Sequence, residues 1–216
     1  MKISVKVCGL TDPRGVTAAV DAGAAMVGFV FFRRSPRFVT PEAAALLADL
    51  VPRGVKKVGL FVDPTDAELE QTLRSVRLDI IQLHGKETPA RVDAVRLFSG
   101  LRVMKALGIA TARDLHEAKD YQNHADWLLF DAKPPKDATR PGGNAKAFDW
   151  ALLKSHVGKT PWGLAGGLTR GNVAKAIKES GARLVDVSSG VESAPGVKSP
   201  AKIRAFVKAA LGAKAP

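Results

Sequence analysis

The sequence predicts an α/β fold, a single (β/α)8 TIM barrel, on three observations. Short β-rich runs alternate with longer helical patterns along nearly the whole chain of 216 residues. The strand ends fall at Cys8, Phe31, Val62, His84, Leu107, Asp131, Ala165 and Ser188. They recur at roughly 20 to 35 residues, the size of one βα unit, and eight even units close naturally into a barrel. The first strand is not followed by a Gly-x-Gly-x-x-Gly turn, which the open doubly wound alternative would favour.

Each unit has its own local reasons. In strand 3–8, Ile3, Val5 and Val7 alternate with Ser4, Lys6 and Cys8, and a helix over 12–22 follows Thr11. Strand 26–32 leads into the loop RRSPRFV and then a helix over 41–50. Thr40 precedes that helix, and Pro41 takes a first position where its missing N–H leaves nothing unpaired. Strand 57–62 precedes a helix over 66–76 behind Thr65, and strand 79–84 one over 89–97 behind Thr88. Acidic residues soon after such hydroxyls favour the positive helix N-terminus. Strand 102–107 precedes a helix over 112–120 behind Thr111. Strand 127–131 enters a long loop, 132–147, before a short helix near 148–154. Strand 161–165 precedes a helix over 170–180 behind Thr169. Strand 184–188 precedes a helix over 200–211 behind Ser199, and a short flexible tail is expected near 212–216. Residues 1–216 thus read as one catalytic barrel domain.

Composition narrows the function classes. One cysteine forms no intramolecular disulfide, which points to a reducing compartment and a thiol free for chemistry. MKISVKVCGL is too short and too charged for a signal peptide, and no run approaches the roughly 20 apolar residues that span a bilayer. A soluble cytoplasmic protein without a membrane partner is expected. The net charge of +12 is scattered, with no zinc-finger spacing, basic zipper or RNA-binding signature, so nucleic acid is not the expected partner. Metal-ligand spacing and a dinucleotide fingerprint are both lacking, which favours a reaction without metal or cofactor.

Strand parity then places the chemistry. The apolar faces should meet the helices, leaving Lys6, Cys8, Gln82, His84, Asp186 and Ser188 to point inward. Buried charges need partners, so Lys6, together with Lys105, is expected to meet Asp186, as a structural ion pair before a catalytic one. Active sites of such barrels lie at the C-terminal strand ends. Glycines and hydroxyls after the seventh and eighth strands, Gly166, Gly167, Ser189 and Gly190, form a candidate phosphate receptor of backbone N–H groups. Asp131 reads either as a turn cap or as an acid, and Cys8 either as a small core residue or as a thiol with a lowered pKa above Lys6. Together the two would make a general acid and a general base. His84 reads as a hydrogen-bonded structural histidine, and Arg37, behind a rigid Ser-Pro, as a fork for a substrate carboxylate.

The stretches VKVCGLTDP, GFVFFRRSPRFVTPEAA, IIQLHG, LLFDA, FDW, LAGGLT and VDVSSGVESAPGVKSPAKI, in this order, resemble the phosphoribosylanthranilate isomerases of tryptophan biosynthesis. The resemblance implies a (β/α)8 barrel, no cofactor, and an Amadori rearrangement of N-(5′-phosphoribosyl)anthranilate, a small sugar phosphate. It also implies Cys8 as base, Asp131 as acid, Arg37 on the anthranilate carboxylate and the AGG and SSG loops on the phosphate. Other cofactor-free sugar-phosphate isomerases and epimerases on this fold stand as the runner-up, and a monomer and a homodimer are both compatible. Where the family reads Gly-Gly-(Thr or Ser)-Gly before FDW, this chain has Asn144 and Ala145. Both proposed catalytic groups stay in place, so an active enzyme is expected. Unchanged turnover and affinity in an Asn144→Thr/Ala145→Gly variant would mark the departure as neutral.

Overall fold

A computed structural model describes residues 3–133 and 148–214. Asn144 and Ala145 lie outside them, and the tail expected near 212–216 is described only to Lys214. The chain runs β1 (Ser4–Cys8), α1 (Pro13–Asp21), β2 (Met26–Val30), α2 (Pro41–Asp49), β3 (Lys56–Phe61), α3 (Asp66–Ser75), β4 (Ile80–Leu83) and α4 (Pro89–Ser99). It continues with β5 (Arg102–Ile109), α5 (Ala112–Glu117), β6 (Trp127–Ala132), β7 (Trp162–Leu164), α6 (Val173–Ser180) and β8 (Leu184–Val187). A small hairpin, β9 (Glu192–Ala194) and β10 (Val197–Lys198), then leads to α7 (Pro200–Leu211). Strands β1 to β8 pair in sequence order into a closed, parallel barrel. All eight expected strands form.

The caps follow local chemistry. Thr40, Thr65, Thr88 and Ser199 each accept a first-turn N–H of α2, α3, α4 and α7, as expected. Two expected caps are corrected. Asp12, not Thr11, caps α1 by accepting from the Gly15 N–H, because a carboxylate is the stronger acceptor. Asn172, not Thr169, stands at the start of α6; its amide oxygen instead accepts from the Thr169 N–H and its amide nitrogen donates to Gly167. The helix predicted over 112–120 is α5 followed by a 3-10 turn, and that near 148–154 is a 3-10 helix, Trp150–Ser155.

The core has two parts separated by the strands. Outward residues such as Val5, Val7, Phe29, Leu83 and Val187 meet the apolar faces of the helices, including Val16, Leu69, Val92, Ile177 and Phe206. Inward, Met26, Val58, Ile80, Met104, Leu129 and Leu184 fill one end of the barrel, leaving no pore. Cys8, Val30 and Leu60 form a smaller apolar cluster nearer the other mouth. Between first and last strands, Lys6 and Asp186 are direct register partners, and Lys6 Nζ donates to Asp186 Oδ2 at 3.0 Å.

Lys105 departs from expectation. It shares the outward face of β5 with Val103, so it cannot reach the barrel interior. There it donates to Glu87 Oε2 at 2.7 Å and to the Gly85 carbonyl at 2.8 Å, with its ammonium 5.8 Å from the Tyr121 ring. Glu87 in turn accepts from the N–H groups of Asp63 and Gly85. This buried pair ties the loop after β3 to the loop after β4. Lys105→Met strands the Glu87 charge, though two backbone donors remain. The expected cost is about 3 kcal/mol, read from urea unfolding, and a loss near zero would show the pair to be dispensable.

Candidate active site

One cavity opens at the C-terminal mouth of the barrel, about 680 Å³ including its open side, and its lining includes Cys8, Arg37, His84, Asp131, Asp186 and Ser189. That suffices for a small-molecule ligand. These side chains come from five different strands or the loops after them.

Parity turns Cys8 inward at the end of β1, opposite Gly28 of β2. A Cβ at Gly28 would sit 2.9 Å from Cys8 Sγ, so the glycine is what leaves the sulfur its place. Of the two readings of Cys8, the one with a lowered pKa does not match its surroundings. Burial among apolar side chains pushes Cys8 up and outweighs the pull of Lys6, while Asp186 pushes it further. Lys6 is fully buried. That burial pulls its ammonium down, yet the charges of Asp186 and Cys8 leave it raised. Lys6 is therefore a cation already paired below the thiol, its attraction partly used on Asp186. One oxygen of that carboxylate, Oδ1, is buried without a hydrogen-bond partner among the described residues, and Asp186 lines the cavity.

Asp131 ends β6 pointing inward. Its Oδ1 accepts from the Ala132 N–H at 2.8 Å, and its Oδ2 lies 3.1 Å from His84 Nε2. The amide of Gln82, fully buried on β4, lies 3.0 Å from His84 Nδ1. His84 thus holds hydrogen bonds as expected, but its partner is the candidate acid itself.

Gly166 and Gly167 line the cavity beside Ser188 and Ser189. Both glycines adopt left-handed φ, +88° and +64°, and a Cβ on Gly166 would come within 2.9 Å of Asp131 Oδ1. Gly190 does not line the cavity. A side chain there would strike the carbonyl of Leu168, so this glycine lets the loops after β7 and β8 pack together. The segment after β8 is a short 3-10 turn, Ser189–Val191.

Arg37 lines the cavity yet is 4% exposed. Its Nε and Nη2 donate to Glu192 Oε1 and Oε2 at 2.6 and 2.9 Å, a bidentate pair. Lys198 Nζ donates to the same Glu192 Oε1 at 2.7 Å and to Ser188 O and Oγ at 2.9 and 3.2 Å. Burial would raise the Glu192 carboxyl, but Arg37 and Lys198 hold it below its ordinary value. Burial depresses Lys198 despite the opposing pull of Glu192. Sequence reasoning left Glu192 and Lys198 unassigned. The signal available was a Glu and a Lys flanking Pro195-Gly196, a turn that folds them together as β9 and β10.

Comparison with known proteins follows from the whole chain. A family model described as N-(5'phosphoribosyl)anthranilate (PRA) isomerase matches residues 5–209. An N-(5'-phosphoribosyl)anthranilate isomerase of Paramagnetospirillum magneticum is 58% identical over 214 residues, covering 99% of this chain and 100% of its own. The crystal structure of phosphoribosyl anthranilate isomerase from Thermotoga maritima aligns with a TM-score of 0.87 at 36% identity, over 97% of this chain and 99% of that one. A phosphoribosyl anthranilate isomerase solved in complex with reduced 1-(o-carboxyphenylamino)-1-deoxyribulose 5-phosphate aligns with a TM-score of 0.82 at 32% identity, covering 97% of this chain and 99% of that one.

The thiol of Cys8 is expected to ionise above the ordinary cysteine range, about 8.5. As the chain has one cysteine, thiolate absorbance near 240 nm followed against pH reads it directly. A midpoint below that range would mean that the cations outweigh burial and Asp186 at the sulfur.

Proposed function

The chain belongs to the N-(5'-phosphoribosyl)anthranilate isomerase family, and on that premise we infer how its barrel mouth carries out the isomerisation. The substrate, N-(5′-phosphoribosyl)anthranilate, becomes 1-(2-carboxyphenylamino)-1-deoxyribulose 5-phosphate, a step of tryptophan biosynthesis. The observation that carries the reading is a thiol and a carboxyl from β1 and β6 lining one cavity.

Asp131 is the general acid: its proton goes to the furanose ring oxygen, the C1′–O bond breaks, and the nitrogen lone pair forms the C1′=N bond of a Schiff base. Cys8, as thiolate, removes the proton from C2′, giving an enolamine. That species takes a proton at C1′ and releases the one on the C2′ hydroxyl, leaving the ketone. Proton uptake and release balance, so acid–base groups suffice. A buried thiol with a raised pKa supplies few thiolates at neutral pH, but each is a stronger base toward a carbon-bound proton. His84 orients the Asp131 carboxyl through their 3.1 Å contact.

Arg37 faces the substrate carboxylate, and Gly166, Gly167 and Ser189 receive the phosphate, with Gly190 holding their loops together. Lys6 and Asp186 support Cys8 from below. Residues 1–216 act as one catalytic domain, since barrel closure joins β1 to β8. Among the described residues no helix is long and apolar enough to cross a membrane, which fits the reading of a cytoplasmic enzyme.

An isomerisation assay on freshly made phosphoribosylanthranilate tests the two roles. Cys8→Ala and Asp131→Asn should each lower kcat/KM by about 10²-fold or more. Activity near that of the parent in either variant removes that residue from the chemistry.

A further inference from the structure

Arg37 does not stand alone at the carboxylate end of the cavity. It belongs to a buried chain of charges that starts in the loop after β2 and ends in the loop after β8. Glu192 lies 155 positions further along the sequence, so only barrel closure brings it to the guanidinium. Three side chains of this chain are nearly enclosed: Arg37 is 4%, Glu192 9% and Lys198 4% exposed.

Two consequences follow from the geometry. The first is direction. Glu192 takes the Nε–Nη2 edge of the guanidinium in a two-point contact, which fixes the plane of a group that otherwise rotates freely. Nη1 donates to no acceptor among the described residues, and Arg37 lines the cavity, so the remaining edge is the one offered to a ligand. The second is charge. An arginine neutralised by one carboxylate is a poor receptor for another carboxylate. Lys198 shares the same Glu192 oxygen, and its ammonium faces three oxygens with its three N–H bonds. Two cations on one anion leave the cluster with a net positive charge.

We propose that Glu192 and Lys198 are positioning residues for Arg37, Glu192 aiming its free edge at the aromatic carboxylate of the substrate and Lys198 keeping the cluster cationic. The proposal rests on the reading of Arg37 as the carboxylate receptor. Neither Glu192 nor Lys198 has to touch the ligand: each acts through the guanidinium.

Two probes separate aim from general integrity: reduced 1-(o-carboxyphenylamino)-1-deoxyribulose 5-phosphate, and the same compound without the ring carboxyl. The ratio of their dissociation constants, measured by calorimetry, reports the carboxylate contact alone. In the parent protein the acid should bind about tenfold tighter or more, the strength of a charge-assisted contact. Glu192→Gln keeps shape but sets an NH2 donor against one guanidinium nitrogen, so the two-point contact and its aim are lost although a negative charge goes with them; Lys198→Met keeps bulk. Each should reduce that ratio toward one while the carboxyl-free probe binds within about threefold of the parent value. Lys198→Arg, which preserves the charge, should retain the ratio. Adding Glu192→Gln to Arg37→Ala should change the ratio no further than Arg37→Ala alone.

The outcomes are distinguishable. If Arg37→Ala leaves the ratio intact, the carboxylate reading falls, and the proposal with it. If Arg37→Ala abolishes the ratio while Glu192→Gln and Lys198→Met keep it, the reading stands and the proposal is overturned. An equal weakening of both probes also overturns it, since that is loss of structure and not of aim. Should Lys198→Met fail to fold, the near-isosteric Glu192→Gln decides alone.

Discussion

The contact on which the rest depends is the ion pair between Lys6 and Asp186. It joins the first strand of the barrel to the last, across 180 positions of sequence, at the seam where the sheet closes on itself. Charges this deeply buried are tolerated only because each is the other's partner. Their presence makes the barrel interior change character along its axis. Apolar side chains pack one end, the pair sits between, and an open cavity with polar and charged groups set in largely apolar walls occupies the other. Cys8 lies two residues after Lys6 on the same face, so its sulfur meets apolar walls, a cation already engaged, and a carboxylate. Burial comes first and, with Asp186, outweighs the pull of the cations, so its pKa is raised.

The same economy recurs in the loops. Glu87 and Lys105 tie the turns after β3 and β4, next to His84. Glu192 and Lys198 tie the loops after β2 and β8, next to Arg37. In each case a carboxylate from a loop accepts from a buried lysine, and the loop beside it carries a side chain that faces the cavity. Strands alone determine which side chains point inward. Buried charge pairs determine where the loops beyond the strands rest.

Much of this was legible in the sequence, for reasons that differ by residue. The eight strands were readable because burial on the helix-facing side imposes strict alternation, as with Val5, Val7, Val185 and Val187. Caps at Thr40, Thr65, Thr88 and Ser199 were readable because capping is local. It failed at Thr11 and Thr169, where Asp12 and Asn172, polar residues one and three positions further on, compete for the same role. Lys105 was misplaced although its own strand held the answer, since it alternates in phase with Val103. The bidentate pairing of Arg37 was not readable at all, because its partner is distant in sequence. Nor was the thiol's electrostatic balance: a pKa depends on everything around a group, and Val30 and Leu60 reach Cys8 only once β1, β2 and β3 pair side by side.

The burial of Cys8 has a consequence for durability. Oxidation of a cysteine proceeds through its thiolate and requires access to the sulfur. A sole thiol held 3% exposed and kept protonated by its surroundings presents little of either to peroxide. The low standing concentration of the base is therefore also a shield. Only a small fraction of molecules carry the thiolate at any moment, so the surroundings that set its basicity also keep it from being consumed between turnovers.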